Sequence, residues 1–182
     1  MTYAIMMCFD DSAAKALVQL RTTLAGQFDL KHRVVDHYSP HVTLAIVEEL
    51  VPINPAERLR HAAQSTRGLT VTFSGVGVFQ SPSGFTLLMS VAPSMELLRL
   101  HASVESEFAS DTGQDTHYAR GKWLPHCTIA SGVDSDVSLD AIFRCIGKDV
   151  LFRSAKVTRL EIAYTADKVC GPLEVRHSIS LD

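Results

Sequence analysis

YSPHVTLAI (Tyr38–Ile46) returns 85 residues later as WLPHCTIAS (Trp123–Ser131). Each stretch places Pro, His, a hydrophobic residue, Thr and another hydrophobic residue in a row. Successive side chains of a strand point to opposite faces, so His41 and Thr43 share one face, and His126 and Thr128 share another. Val42 with Leu44, and Cys127 with Ile129, point into the layer behind. Each motif therefore presents an imidazole and a hydroxyl side by side on an apolar-backed strand. Two such strands facing across a groove would make a symmetric polar pocket.

Working outward, Tyr3–Phe9 reads as a buried strand. The segment after it opens with Asp10 and Asp11 and carries the helical stripe Ala13, Leu17, Leu20 and Leu24 before Gly26. His41–Glu48 is the next strand. A helix follows from Asn54 as N-cap and Pro55 in the first turn, with Glu57 expected to complete a capping box. Leu69–Phe79 and Gly84–Ala92 are rich in β-branched and aromatic residues and flank the turn signal QSPS, which predicts a hairpin. A helix starts near Ser94 with Leu97, Leu100 or His101, Val104 and Phe108 on one face. After the His126 strand, Ser138 caps a fourth helix, and AKVTRLEIAYTA and LEVRHSISLD read as closing strands. Strands alternate with helices but hairpins are mixed in, which predicts an α+β fold. One domain over residues 1–182, with two lobes, is the expectation.

Among 182 residues, 46% are hydrophobic and 20% charged, enough to bury an ordinary core. The run YAIMMCF is too short for a membrane span and lacks a basic leader, so a cytoplasmic protein with no membrane partner is expected. Cys8, Cys127, Cys145 and Cys170 are scattered, with no C-x-x-C pair and no zinc-ligand spacing. The formal net charge of −3 argues against a protein that coats nucleic acid. Local cations stand at Lys31–Arg33 and at Arg120 and Lys122.

Two imidazoles and two hydroxyls suit phosphodiester chemistry. One His deprotonates the attacking oxygen while the other protonates the leaving oxygen, and the hydroxyls bond the non-bridging phosphate oxygens. The set calls for no metal and no cofactor. A third His-x-hydroxyl match, His101 and Ser103, lies in a helix, where residues two apart sit about 200° around the axis and cannot share a face. The residues leave three readings open: a metal-free phosphoesterase, a non-catalytic nucleotide- or RNA-binding module on the same groove, and a metalloprotein using His41, His126 and a third ligand.

PHVTLAI and PHCTIA, backed by the opening YAIMMCFDDSAAKALVQLRTTL and by GVGVF followed by LLMSV, resemble the two-histidine (2H) phosphoesterase superfamily. That superfamily includes 2′,5′-RNA ligase-like proteins and RNA 2′,3′-cyclic phosphodiesterases. The resemblance implies a bilobal, pseudo-two-fold fold with antiparallel sheets facing a central groove and helices outside. It implies opening of 2′,3′-cyclic phosphates, or action on 2′,5′ linkages, of a nucleotide or RNA end. His41 and His126 would be the acid/base pair, and Thr43 and Thr128 the phosphate clamps. Tyr38, Tyr118 and Trp123 are candidates to stack on a nucleobase, and Arg120 and Lys122 to supply charge; a monomer is expected. The sequence departs from many RNA-processing relatives in one respect: Ala45, Ile46 and Val47 follow the first motif and Ser131 the second, where a basic residue is common.

Overall fold

The computed structural model describes residues 2–28, 30, 39–64, 66–81, 84–134, 136–146, 153–165 and 173–181. Tyr38, Lys31–Arg33 and Cys170 lie outside the described residues. The elements run β1 (Thr2–Phe9), α1 (Asp11–Gln27), β2 (His41–Val47), α2 (Pro55–Ala63), β3 (Thr70–Ser81), β4 (Gly84–Val91), α3 (Met95–Glu107), a 3₁₀ turn (Thr116–Tyr118), β5 (His126–Val133), α4 (Leu139–Cys145), β6 (Ser154–Thr165) and β7 (Glu174–Ser180).

Three helices begin as their sequences dictate. Asp10 accepts a bond from the Ala13 N–H, Ser94 from that of Leu97 and Ser138 from that of Ala141, each satisfying one of the first-turn N–H groups that no carbonyl can reach. The capping box expected at Asn54 does not form. Asn54 adopts φ +44°, ψ +52°, and its side chain makes no cap bond. Asn is among the few residues that tolerate this left-handed conformation, and it turns the side chain away from the helix entrance.

All pairings are antiparallel, in the order β2-β1-β6-β3-β4-β5, with β7 added on β6. The antiparallel sheets expected of the two halves are joined into one hydrogen-bonded path at β3–β6, where Thr70–Thr72 pair with Ser154–Lys156. Either side of that junction the arrangement repeats. β1-α1-β2 and β4-α3-β5 are equivalent units, and each borrows the third strand of the other: β6 completes β1–β2 and β3 completes β4–β5. This is the pseudo-two-fold organisation implied by the doubled motif.

One face of the sheet is apolar in both halves. Ile5 and Met7 of β1, Val42 and Leu44 of β2, Met89 of β4, and Cys127 and Ile129 of β5 join one buried cluster with helix residues such as Leu17, Leu24, Leu97 and Leu100. Burying each such side chain contributes roughly 1.5–3 kcal/mol. The opposite face carries His41, Thr43, His126 and Thr128.

Candidate active site

His41 opens β2 and pairs with Cys8; His126 opens β5 and pairs with Ser90. Cys8 and Ser90 are each the next-to-last residue of their strand. Thr43 and Thr128 pair with Met6 and Leu88, and in both halves the register slips by a bulge immediately beyond that pair. A bulge ends regular pairing and re-aims the strand. The two His-Thr pairs thus occupy equivalent rows in the two halves.

The imidazoles are held identically. His41 Nδ1 lies 2.9 Å from the Ser39 carbonyl and His126 Nδ1 lies 2.6 Å from the Leu124 carbonyl, each two residues upstream. A carbonyl can only accept, so Nδ1 carries the proton and donates it, and Nε2 is the nitrogen at which each ring gains or loses a proton. Burial, which leaves an imidazolium poorly solvated, pushes His41 down to about 4, and the buried positive charge of Arg21 adds to this. His126 is also lowered, by burial.

β2 and β5 are the ends of the strand path, yet they lie against each other; two contacts bridge the motif segments and a third braces β5 from behind. Trp123 Nε1 donates to the Thr43 carbonyl at 3.0 Å. The His41 backbone N–H donates to Cys127 Sγ. Arg21, on α1 and 2% exposed, donates from Nη2 to the Thr128 carbonyl at 2.7 Å and reaches Cys127 Sγ at 4.0 Å. Cys127 faces away from the motif residues, but its thiol, which burial keeps protonated, sits at the crossing of the two motifs.

A cleft of about 750 Å³ opens beside His126, lined by Val78, Phe79, Tyr118, Lys122, Trp123 and Leu124 among others. Phe79 is 39% exposed and meets His126 edge to face, centroids 5.0 Å apart. Lys122 and Trp123 therefore lie with the motif residues. Trp123 is 8% exposed, and one ring face is covered by His101, stacked at 4.1 Å and 3°. His101, in turn, bonds the Tyr118 carbonyl through Nε2 at 2.7 Å. The His of the helical look-alike motif is thus part of the wall behind the cleft. The Tyr118 phenol lies beside the Thr43 hydroxyl. Arg120 is turned to Glu105 of α3, which accepts from its backbone N–H at 3.1 Å and its Nε at 3.0 Å. Among the described residues, no three His, Cys, Asp or Glu side chains gather as metal ligands would.

Four residues of this region escaped sequence reasoning. Arg21 stands four after Leu17 and three before Leu24, inside the apolar stripe of its helix, which is the pattern that marks it. Phe79 shares a face with Gly75 and Gly77. Arg159 and Glu161, on β6, come onto the motif face only through long-range pairing, with Cys8 and Met6.

A family model described as the 2′-5′ RNA ligase superfamily matches residues 9–168. TT0787 of Thermus thermophilus superposes with a TM-score of 0.68 at 17% identity, covering 100% of this chain and 98% of that one. Escherichia coli LigT does so in complexes with NADP+ (TM-score 0.65, 16% identity, 98% and 96% covered) and with 3′-AMP (0.65, 13%, 99% and 98%). A search of curated protein sequences gives no match.

Proposed function

We propose that this chain, which belongs to the 2′-5′ RNA ligase superfamily, is a metal-independent phosphoesterase that opens 2′,3′-cyclic phosphates, or acts on 2′,5′ linkages, of a nucleotide or RNA end. The observation that carries the reading is the matched pair of imidazoles, each with Nδ1 tied to a carbonyl two residues upstream and each beside a threonine hydroxyl.

One imidazole, neutral, takes a proton at Nε2 from the attacking water, whose oxygen bonds to phosphorus. The other, protonated, gives its Nε2 proton to O3′ as the P–O3′ bond breaks. The product is a 2′-phosphate with a free 3′-hydroxyl, and solvent exchange restores the two protonation states. In the reverse direction the roles exchange. Thr43 and Thr128 donate to the non-bridging oxygens, where charge builds in the pentacoordinate state. Trp123 and Cys127 bridge the two motif segments, and Arg21 braces the second from α1.

The nucleotide complexes of E. coli LigT, with 3′-AMP and NADP+, support a small nucleotide or RNA terminus as ligand. Phe79, exposed and edge-on to His126, is suited to contact a base. The test is hydrolysis of the four nucleoside 2′,3′-cyclic monophosphates in EDTA, with His41→Ala and His126→Ala alongside and the product read by phosphorus NMR. A 2′-phosphate that disappears in both variants is expected. Turnover abolished by EDTA, or unchanged when both imidazoles are removed, would overturn the proposal.

A further inference from the structure

The two halves match in their motif rows but not in the strands they borrow. On β6, Arg159 pairs with Cys8, which pairs with His41; Glu161 pairs with Met6, which pairs with Thr43. Directly paired residues point to the same side of a sheet. Arg159 and Glu161 therefore stand on the motif face, two strands from His41 and Thr43. The equivalent rows of the other half run from His126 through Ser90 to Gly75, and from Thr128 through Leu88 to Gly77. A charged pair on one side is answered by two glycines on the other.

The charged pair is oriented. Glu161 is 8% exposed, and both its oxygens are engaged: Oε1 takes Arg159 Nε at 2.6 Å and Oε2 takes the Cys8 thiol at 3.4 Å. Burial, and then the neighbouring carboxylate, keep that thiol protonated and a donor. Held through Nε, the Arg159 guanidinium is 34% exposed and swings back toward β2, with Nη2 3.5 Å from Ser39 Oγ. Ser39 is the residue whose carbonyl holds His41. A guanidinium fixed along one edge presents its other amino group as a ready fork for an oxyanion. Arg120, the cation the sequence offered near the second motif, is instead committed to Glu105.

We propose that Arg159, aimed by Glu161, binds a second anionic group of the substrate, distinct from the reacting phosphate and lying on the His41 side. The preferred substrate is then a nucleotide or oligonucleotide end bearing another phosphate, with its uncharged portion over the Gly75 and Gly77 floor toward Phe79. Arg159 is a substrate-binding residue, and Glu161 is a positioning residue acting through it. This rests on the phosphoesterase reading for the identity of the reacting group, but its own test is a binding measurement.

Equilibrium affinities of adenosine 2′-monophosphate, adenosine 2′,5′-bisphosphate and a dinucleotide ending in a 2′-phosphate are measured by calorimetry at fixed ionic strength. The wild type is expected to prefer at least one doubly charged ligand over the monophosphate by about ten- to a hundredfold, the range of one charge-assisted contact. A preference for the bisphosphate alone points to a mononucleotide's terminal phosphate; a preference shared by the dinucleotide points to the internal linkage of an RNA end. Arg159→Met should collapse the ratio toward one. Arg159→Lys, which keeps the charge without the fork, and Glu161→Gln, which loosens the aim, should leave intermediate ratios and remain informative if the methionine variant fails to fold. Equal wild-type affinities, or a ratio that survives in the folded Arg159 variants, would overturn the proposal. Cyclic phosphate turnover with equal affinities would refute only the second-anion site. Discrimination through Arg159 without turnover would refute only the catalytic reading.

Discussion

Replacing Arg21 by Met tests whether the two motifs are coupled from behind. Methionine fills much of the same channel with an unbranched stem but carries no charge. The variant loses the 2.7 Å bond to the Thr128 carbonyl, a charge-assisted contact of about 1.5–3 kcal/mol. Part of that loss is offset because a buried cation no longer has to be desolvated. The expected net destabilisation is about 1–2 kcal/mol, a fall of several degrees in Tm for a chain of this size. The informative readout is His41. Arg21 is one of the causes of its lowered pKa, second among the lowering ones to burial, so removing the charge should raise it, and the acidic limb of the kcat/KM profile should move to higher pH with it. Proton NMR of the His41 ring gives the shift directly. Arg21→Lys keeps the charge but not the fork, so it should weaken the Thr128 contact while His41 stays low. An Arg21→Met protein whose His41 titrates as in the wild type, with kcat unchanged, would refute the coupling.

Three further outcomes follow from the same geometry. Thr43→Val and Thr128→Val keep the shape of each strand and remove one hydroxyl, so kcat should fall by roughly ten- to a thousandfold with little change in Tm, as steady-state kinetics and thermal unfolding would show. The unfolded chain protonates His41 near 6.5 while the folded protein resists until about 4. The native state therefore binds fewer protons in that window, and stability drops as pH falls from 6.5 to 4, by at most about 3 kcal/mol; His41→Asn should flatten that part of a urea-unfolding profile. Asp111, 5% exposed, pairs with Arg58 and takes the Val51 N–H at 2.6 Å. Asp111→Ala removes the carboxylate from a partly buried guanidinium that keeps its bonds to the Glu107 carbonyl, and should cost about 1.5–3 kcal/mol in urea denaturation.

The motif rows were legible because a strand's alternation is local: His41 with Thr43, and His126 with Thr128, needed no tertiary information. The caps at Asp10, Ser94 and Ser138 were legible for the same reason. Asn54 was not, since its side chain satisfies the cap pattern while its backbone takes a left-handed turn. What the sequence hid is long-range. Nothing near Arg159 or Glu161 announces that β6 pairs with a strand some 150 residues earlier rather than with its own half. Arg120 is close to the motif in sequence, and its exposed ion pair with Glu105 of α3 is a contact the sequence does not announce. His101 was read as outside the motif set, and the structure keeps it there chemically while making it the support of Trp123.

The exchange of third strands bears on how the chain is made. β1 is apolar almost throughout, and it is synthesised before both strands that flank it. Its β2 edge can close after some forty residues of further synthesis, but its other edge must wait for β6, ending at Thr165. At translation rates of about 5–20 residues per second, that edge stays open for on the order of ten seconds. A nascent chain stalled before β6 carries an unpaired hydrophobic strand, a template for aggregation or for chaperone capture. Truncation before Ser154 should therefore yield insoluble protein rather than a free first half.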